Sequence, residues 1–464
     1  MEIMQLLGAV NLYHFGQTYD ISLDWIGSII QWLVDGIGIV GVGIIVFSLI
    51  LKLVVLPFDI YQRITMRKQN NKMKENQERM EKLQKQYAND KEKYNQKLME
   101  MYKENGISMF SSCLPMILSM VVFIAAIGGF NAYSKYANVQ NYNHFVQAYN
   151  AKIESFAPEF TAETVSYDEN SNTIVIQEAG NPVYATIAVG EDFDKTQDLV
   201  AFANNVQENG AMGMRVEYLV DETTFFTAYP EFVAGTVEEN RATITNYYYE
   251  QAREAVRVEY EENSKNRVGF LWIENVWNVD ASYEHPITDY EKFMTPVKNL
   301  FTAESTFDVN GAKVSFDDMK QYNNSPYSSG GYEEVTKNLT AGKEGANGYF
   351  IMIALSIGSI LLQQFISMRS QKEQNKFSSV DGQQAQTQKT TMVVMTVMFG
   401  IFSFMYSAAF SIYMVVSSMF TLLSTMVINK FVDAKMNKAE EKAMLAKYTR
   451  KLPGQQETDT KKKK

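Results

Sequence analysis

The sequence predicts a polytopic α-helical membrane protein with five spans. Three apolar blocks each have about the 20 residues that a helix needs to cross a hydrocarbon core of roughly 30 Å. They are Gly36–Pro57, Met109–Phe130 and Gly348–Met368. A fourth stretch, between Lys389 and Lys430, holds 40 uncharged residues. The charges are also segregated along the chain, which is typical of a protein with soluble parts on both sides of a membrane.

The fourth stretch is interpreted as two spans. As one helix it would be about 60 Å long at roughly 1.5 Å per residue, twice the bilayer core. We therefore expect a tight reversal near Tyr406–Phe410. A single long tilted helix is the alternative.

The distribution of charge predicts the orientation. Residues 133–346 contain 15 Lys/Arg and 34 Asp/Glu, whereas the rest of the chain contains 28 and 19. Lys and Arg are concentrated in 58–108, 369–389 and the tail from Lys430, and short loops rich in these residues stay on the cytosolic side. The N-terminus and residues 133–346 are then extracytoplasmic, and the C-terminus is cytosolic.

The predicted domain map follows from these assignments. It comprises an extracytoplasmic N-terminus with an amphipathic helix (1–35), a first span (36–57), a cytosolic helical hairpin (58–108), a second span (109–132), an acidic extracytoplasmic domain (133–346), a third span (347–368), a cytosolic loop (369–389), the fourth and fifth spans (390–430) and a basic cytosolic tail (431–464).

Two helical segments flank the first span. Apolar residues recur at helical spacing between Leu23 and Leu33, with Trp25 and Trp32 seven residues apart, which predicts an interfacial helix anchored by indoles. The alternative is an early start of the first span. After the span, a charged segment with a narrow apolar seam is interrupted at Ala88–Asp90, which indicates two antiparallel helices.

The acidic domain is expected to be a small α+β fold. Thr173–Gln177 and Val183–Val189 alternate in polarity around the turn pair Gly180-Asn181, which predicts a β-hairpin, and residues 246–262 have a helical pattern. Cys113 is the only cysteine, so a disulfide framework is excluded. The domain must depend on its own core.

Rival classes of membrane protein lack their signatures. An intramembrane protease needs catalytic residues within its spans, yet the three histidines (His14, His144 and His285) lie outside all five predicted spans. A transporter would be favoured by repeats and interrupted helices, which the sequence does not show. We predict no enzymatic activity, no cofactor, no metal site and no small-molecule substrate.

Three segments together resemble one family. The hairpin ends in Lys97–Met120 (KLMEMYKENGISMFSSCLPMILSM), the segment Gly269–Asp280 (GFLWIENVWNVD) precedes the third span, and Ser411–Ser424 (SIYMVVSSMFTLLS) lies in the last span. Their content and order are similar to those of the YidC/Oxa/Alb membrane protein insertases. The matching positions are Tyr102, Lys103, Glu104, Gly106, Cys113, Leu114 and Pro115. Three positions depart from the family. Relatives mostly carry arginine at the position of Lys52, many carry glutamine at that of Ser119, and tryptophan is usual at that of Met414. These departures suggest a divergent Gram-positive-type YidC.

The resemblance implies an insertase and chaperone in the bacterial cytoplasmic membrane. Such proteins move client segments from the cytosol into the bilayer through a hydrated groove that carries a positive charge, here Lys52. The expected partners are nascent membrane proteins and lipid, and the ribosome and the Sec translocon are left open as further partners. A receptor or scaffold that acts through the extracytoplasmic domain is the alternative function.

The remaining candidates for polar groove residues are Ser119, Gln363, Gln364 and Ser417. Each has a structural alternative. Lys52 can extend its side chain to the inner headgroups, the glutamines can be interfacial, and the serines can bond their own helix backbone. The fourth span also carries four methionines, Met392, Met395, Met398 and Met405. They either form a flexible surface that accepts clients or simply pack against lipid. The lysine-rich tail is either solvated or a contact for anionic lipid or RNA.

Overall fold

A computed structural model describes residues 9–16, 18, 21–106, 110–209, 214–297, 306–309, 312–315, 325–340, 345–375 and 383–448. The chain divides into two compact units. The sheet unit comprises residues 1–43, 129–350 and 407–409, and the span unit comprises 44–128, 351–406 and 410–464.

The helices and strands follow in chain order. They are β1 (Ala9–Leu12), α1 (Trp25–Ile37), α2 (Val40–Glu75), α3 (Gln77–Gln86), α4 (Lys91–Glu104), α5 (Phe110–Glu154), β2 (Val165–Asp168), β3 (Thr173–Ile176), β4 (Val183–Ala188), α6 (Leu199–Asn209), β5 (Glu217–Asp221), α7 (Glu222–Ala228), α8 (Val237–Glu259), a π-helical turn (Tyr260–Ser264), α9 (Lys265–Val268), α10 (Tyr290–Val297), β6 (Thr306–Val309), β7 (Ala312–Ser315), α11 (Ser329–Thr340), α12 (Ile351–Asn375), α13 (Gln383–Met405) and α14 (Ala408–Tyr448).

The sheet unit contains a five-stranded sheet. Its order is β1-β5-β4-β3-β2, and every neighbouring pair is antiparallel. In the β3–β4 hairpin, Thr173 pairs with Ala188 and Ile176 pairs with Ala185. Successive strand residues point to opposite faces, so Ile174 and Ile176 are both fully buried on one face. The hairpin predicted from the alternating pattern is confirmed.

Two long helices pack in the sheet unit. The C-terminal half of α5 buries a stripe at helical spacing, which includes Tyr142, Tyr149 and Ile153. Helix α8 begins with a capping box between Thr236 and Glu239. It covers residues 246–259 of the predicted helical segment 246–262, and the π-helical turn covers the remainder, so that prediction is confirmed.

Two features of the sheet unit differ from the predicted map. Helix α5 runs through the boundary between residues 132 and 133 without a break, because an apolar pattern in its first half passes directly into the buried stripe of its second half. Strand β1 comes from the segment before the first span and pairs with β5, with Ala9 opposite Asp221. Four residues of local pattern at the N-terminus do not reveal a partner that lies about 200 residues further along the chain.

The span unit is helical. Helix α2 continues through Pro57 to Glu75, so the proline lies inside the helix and does not end it. Helices α3 and α4 are separated by residues 87–90, at the predicted interruption. Helices α13 and α14 are separated only by Tyr406 and Ser407, where a reversal was expected.

The protein is an α-helical membrane protein. In the described part of the chain, three helical segments are long and apolar enough to cross a bilayer: Val40–Glu75, Ile351–Arg369 and Ala408–Lys435. Thr396–Met405 forms a shorter apolar helix. The count of five spans stays a prediction, as does the side of the membrane on which the sheet unit lies.

Candidate functional site

Lys52 lies on the first membrane helix, α2. Its side chain is partly buried and interacts electrostatically with Asp59, seven residues further along. Seven residues make almost two turns, so both side chains lie on one face of the helix, about 10.5 Å apart along its axis. No ion pair joins these two described residues, and Asp59 acts on Lys52 as a nearby counter-charge.

Asp59 also faces a second cation. Arg63 lies one turn further along α2, and its charge acts on Asp59. Its guanidinium donates to Thr425 Oγ1 at 2.5 Å and to Asn429 Oδ1 at 2.9 Å, both on α14. One more turn along, Arg67 Nε lies 3.8 Å from Asp433 Oδ1.

The Arg63 seam is therefore a polar contact between α2 and α14. The α2 residues are spaced four apart, and so are Thr425, Asn429 and Asp433, so each helix presents them on one face. The sequence interpretation missed this seam because it treated residues after Pro57 as a solvated hairpin. The matching four-residue spacing on the two helices was the available signal.

Gln364 makes a bond between helices. Its Oε1 accepts a hydrogen bond from Thr396 Oγ1 of α13 at 2.7 Å. Two turns towards the start of α12, the hydroxyls of Ser356 and Ser403 lie 3.0 Å apart and are buried. These bonds tie α12 to α13, so Gln364 has a structural role in the described state. Gln363 is half-buried.

Ser417 is buried in α14 and 8% exposed. Its backbone oxygen accepts from Thr421 Oγ1 at 2.7 Å, and its side chain interacts with the Tyr413 hydroxyl. The side chains of Ser119, Met392 and Met395 lie outside the described residues. Met405 is 68% exposed, and Met398 is half-buried.

The predicted groove residues whose side chains the structure describes are not joined into one network. Within the described part of the chain, no hydrogen bond or ion pair links Lys52 to Gln363, Gln364 or Ser417. Each of these residues lies on a membrane helix, and Lys52 keeps Asp59 as its counter-charge. The polar groups that the structure describes are therefore distributed along the helices.

In the sheet unit, a clasp is formed by Gly269–Asp280, the segment that carries the second family motif. Asn275 and Asn347 exchange two hydrogen bonds, and Asn347 Nδ2 also donates to Val279 O at 2.8 Å. Asn275 Nδ2 donates to Asn138 Oδ1 of α5 at 2.9 Å. The clasp thus joins α5 to the residues that lead into α12.

The same clasp holds the start of α14. The backbone nitrogens of Ala408 and Ala409 donate to the oxygens of Asn278 at 2.7 Å and Val276 at 2.8 Å. These are amides of the first helical turn, which have no partner within their own helix. The clasp therefore caps α14 from outside the helix.

Two glycines allow the clasp to close. A Cβ atom on Gly348 would lie 1.8 Å from Asp280 Oδ1, and one on Gly41 would lie 2.1 Å from the ring of Phe270. Asp280 Oδ1 accepts from Tyr349 N at 2.8 Å, so the chain must pass close to this carboxylate. Any larger residue at position 348 would force the two segments apart.

Helix α1 is separate from the first membrane helix. Gly38 ends it in the left-handed conformation with φ of 75°, so α1 is not the beginning of α2. Trp25 and Trp32 are each 73% exposed, whereas Ile30 is fully buried. One face of α1 packs in the sheet unit, and the other presents indoles, as expected of an interfacial helix.

Known proteins were compared with the chain. Residues 32–176 match the family described as "60Kd inner membrane protein". A "Membrane protein insertase YidC" of Caldanaerobacter subterraneus subsp. tengcongensis is 37% identical over 98 residues, which is 21% of this chain and 46% of that protein. The protein of the same name from Clostridium tetani is 41% identical over 92 residues, which is 20% of this chain and 40% of that protein. The one from Clostridium perfringens is 36% identical over 102 residues, which is 21% of this chain and 41% of that protein.

The matched regions are limited in extent. The chain spans less than half the length of these curated relatives, and no solved structure matches it. The matched part contains α2 with Lys52, the α3–α4 hairpin and the first family motif. The other two segments on which the resemblance was based, Gly269–Asp280 and Ser411–Ser424, lie outside it. Through the matched region, the chain is similar to membrane protein insertases of the YidC/Oxa/Alb family.

Proposed function

We propose that the protein is a membrane protein insertase, which moves polar segments of client proteins from the cytosol into the bilayer. The observation that carries the proposal is Lys52, a partly buried cation on an apolar membrane helix with a carboxylate two turns away. Polar residues at membrane depth are costly and usually functional. The insertase names of the relatives support the same activity.

The proposed mechanism needs no covalent chemistry. An isolated charge at the bilayer centre costs about 2.5–3.5 kcal/mol on insertion scales. A groove that carries water and a fixed positive charge lowers this cost for an acidic client segment, because the segment exchanges one polar environment for another. Lys52 attracts the client carboxylate as a compact, strongly hydrated point charge.

Asp59 is the proposed counter-charge of Lys52 in the absence of a client. When no client is present, this carboxylate balances Lys52 and is itself balanced by Arg63. A client carboxylate that approaches Lys52 then competes with an internal acid. Arg63 is held by Thr425 and Asn429, so it remains in place while Lys52 changes partner.

The orientation and partners complete the proposal. We place Lys52 towards the cytosolic end of its span, the N-terminus and the sheet unit outside the cell, and the basic tail in the cytosol, following the distribution of Lys and Arg. The client is a nascent membrane protein, and the protein also acts as a chaperone while the client segment leaves the groove. Contact with a ribosome or a Sec translocon would come through the cytosolic hairpin and tail.

Insertion of a single-span client into vesicles that contain the purified protein tests the role of Lys52. Lys52→Arg should retain insertion, and Lys52→Ala and Lys52→Glu should lose most of it at equal protein level. Lys68→Ala is the matched control, because Lys68 is an exposed lysine on the same helix. Normal insertion by Lys52→Ala would remove the proposed role and leave a lysine that reaches the inner headgroups.

A further inference from the structure

A small cavity lies in the sheet unit where α1 ends beside α5. Its volume is about 260 Å³, and its walls come from the last turn of α1, the middle of α5 and the clasp region. The residues that matter for its chemistry are Asp35, Tyr133, Tyr136, Trp277 and Arg267. The volume suits a small polar headgroup better than a drug-sized molecule.

The carboxylate of Asp35 is in an unfavourable position for an acid. It lies in the last turn of α1, where helix carbonyls already create negative potential and where the helix has no basic residue. Among the described residues, it makes no hydrogen bond or ion pair. Asp35 lines the cavity but is exposed to solvent, and its partial burial raises the pKa of the carboxyl group. The negative end of the helix and the carboxylate together favour a positively charged ligand.

Aromatic rings line the same cavity. Tyr133 packs edge-on against Trp277, with ring centroids 4.7 Å apart, and against Tyr136 at 5.6 Å. The charge of Asp35 acts on the Tyr133 hydroxyl, so the carboxylate and the rings are close to each other. Aromatic faces beside a carboxylate are the usual surroundings of a bound ammonium group.

Arg267 does not reverse this preference. It lines the cavity, but its Nη2 already donates to Glu259 Oε1 at 2.7 Å and lies 3.3 Å from Asn141 Oδ1. Its charge is balanced by Glu259, so Asp35 is left as the charge without a partner. Asp35 and the C-terminal end of α1 therefore favour a cation in the cavity.

The position of the cavity indicates the source of the cationic ligand. Trp25 and Trp32 are exposed on α1, the helix that carries Asp35, and indoles of this kind lie at the depth of lipid headgroups. We propose that the cavity formed by Asp35, Tyr133, Tyr136 and Trp277 binds the primary ammonium group of a phosphoethanolamine lipid headgroup. The site belongs to the membrane surface and does not involve Lys52.

Native mass spectrometry of the full chain can test this binding. The protein is released from micelles that contain equal amounts of phosphatidylethanolamine and phosphatidylglycerol, and the bound lipids are counted. Phosphatidylethanolamine should be retained in excess, and Asp35→Asn should weaken its retention about tenfold, as expected for loss of a charge-assisted contact. Asp192→Asn, which changes an exposed acid of the same unit, should leave retention unchanged.

Further measurements separate the possible outcomes. Soluble glycerophosphoethanolamine should compete with the bound lipid, whereas glycerophosphoglycerol should not. Competition by ethanolamine alone, without preference for the lipid, would show a site for free amines and overturn the assignment to a headgroup. Equal retention of both lipids, or retention by Asp35→Asn equal to that of the unaltered chain at equal thermal stability, would overturn the proposal. No client protein is used, so the result is independent of insertase activity.

Discussion

Asn275 and Asn347 bind each other through two reciprocal hydrogen bonds. Asn275 N donates to Asn347 Oδ1 at 2.8 Å, and Asn347 Nδ2 donates to Asn275 O at 2.9 Å. Asn347 is fully buried, and its backbone also donates to Glu284 O and accepts from Glu274 N. An asparagine is required here because its amide both donates and accepts within one plane.

Replacing Asn347 by alanine should strongly destabilise the sheet unit. The change leaves the backbone nitrogen of buried Asn275 without its partner, and a buried group left unpaired costs about 1–3 kcal/mol. It also removes one of the two hydrogen bonds that the backbone oxygens of Asn275 and Val279 each accept. Thermal unfolding followed by near-ultraviolet circular dichroism measures the loss. The control is Asn338→Ala, which removes an exposed hydrogen bond to Glu250. Equal stability of the two variants would contradict the role assigned to Asn347.

The ion pair between Arg253 and Glu334 gives a second stability prediction. Two parallel bonds of 2.8 and 2.6 Å join α8 to α11, and the Arg253 side chain is only 7% exposed. Removal of one partner of a buried pair leaves an uncompensated charge and costs about 3–5 kcal/mol. Glu334→Ala should therefore lower the stability by this amount, whereas Glu333→Ala, at the exposed neighbouring position, should have little effect.

The Arg63 seam predicts a difference between arginine and lysine. Arg63 donates to Thr425 and Asn429 through two separate nitrogens, an arrangement that a single ammonium group does not reproduce. We expect Arg63→Lys to weaken the contact between α2 and α14 and Arg63→Ala to remove it. Disulfide formation between cysteines introduced at nearby positions of the two helices measures this contact. Arg67→Ala should change it less, because Arg67 lies 3.8 Å from a half-exposed Asp433.

Single-cysteine labelling tests the orientation. In a Cys113→Ser background, cysteines at Asn89 and Ser378 should react only from the cytosol, and a cysteine at Asn181 only from outside. Ser378 lies outside the described residues. Asn181 Nδ2 bonds to Phe156 O, so the exposed Glu178 of the same turn is a safer probe. Labelling at position 178 exclusively in inverted vesicles would contradict the orientation and the insertase proposal with it.

Removal of the outer part of the sheet unit tests the receptor alternative. Replacing 137–266 by a Gly/Ser linker should leave a membrane protein with residual insertion if the membrane helices carry the activity. The deletion also removes β5, which pairs with β1, and exposes Val10, Leu12 and Phe15. A second variant that also lacks residues 9–16 is therefore needed. Complete loss of insertion by a well-folded form of this variant would favour the receptor or scaffold.

Local patterns predicted some elements and missed others for physical reasons. The β3–β4 hairpin follows from alternation between Thr173 and Val189 because its two strands are neighbours along the chain. The Arg63 seam depends on a contact 362 residues away, at Thr425, which no local window contains. The cavity at Asp35 depends on three distant segments. Lys52 was found from its place in a motif, but its counter-charge Asp59 was not, because the helix was expected to end at Pro57.

The pairing of β1 with β5 imposes an order on biogenesis. The edge strand at residues 9–12 is synthesised before the first membrane helix, whereas its partner at 217–221 is made only after the second apolar block. If the predicted orientation holds, both strands must cross the membrane separately before they can meet. Strand β1 therefore remains unpaired while some 200 further residues are synthesised. The sheet is completed only when the segment that contains β5 has been translocated. Completion of the sheet would therefore indicate that the first two membrane helices have been correctly inserted.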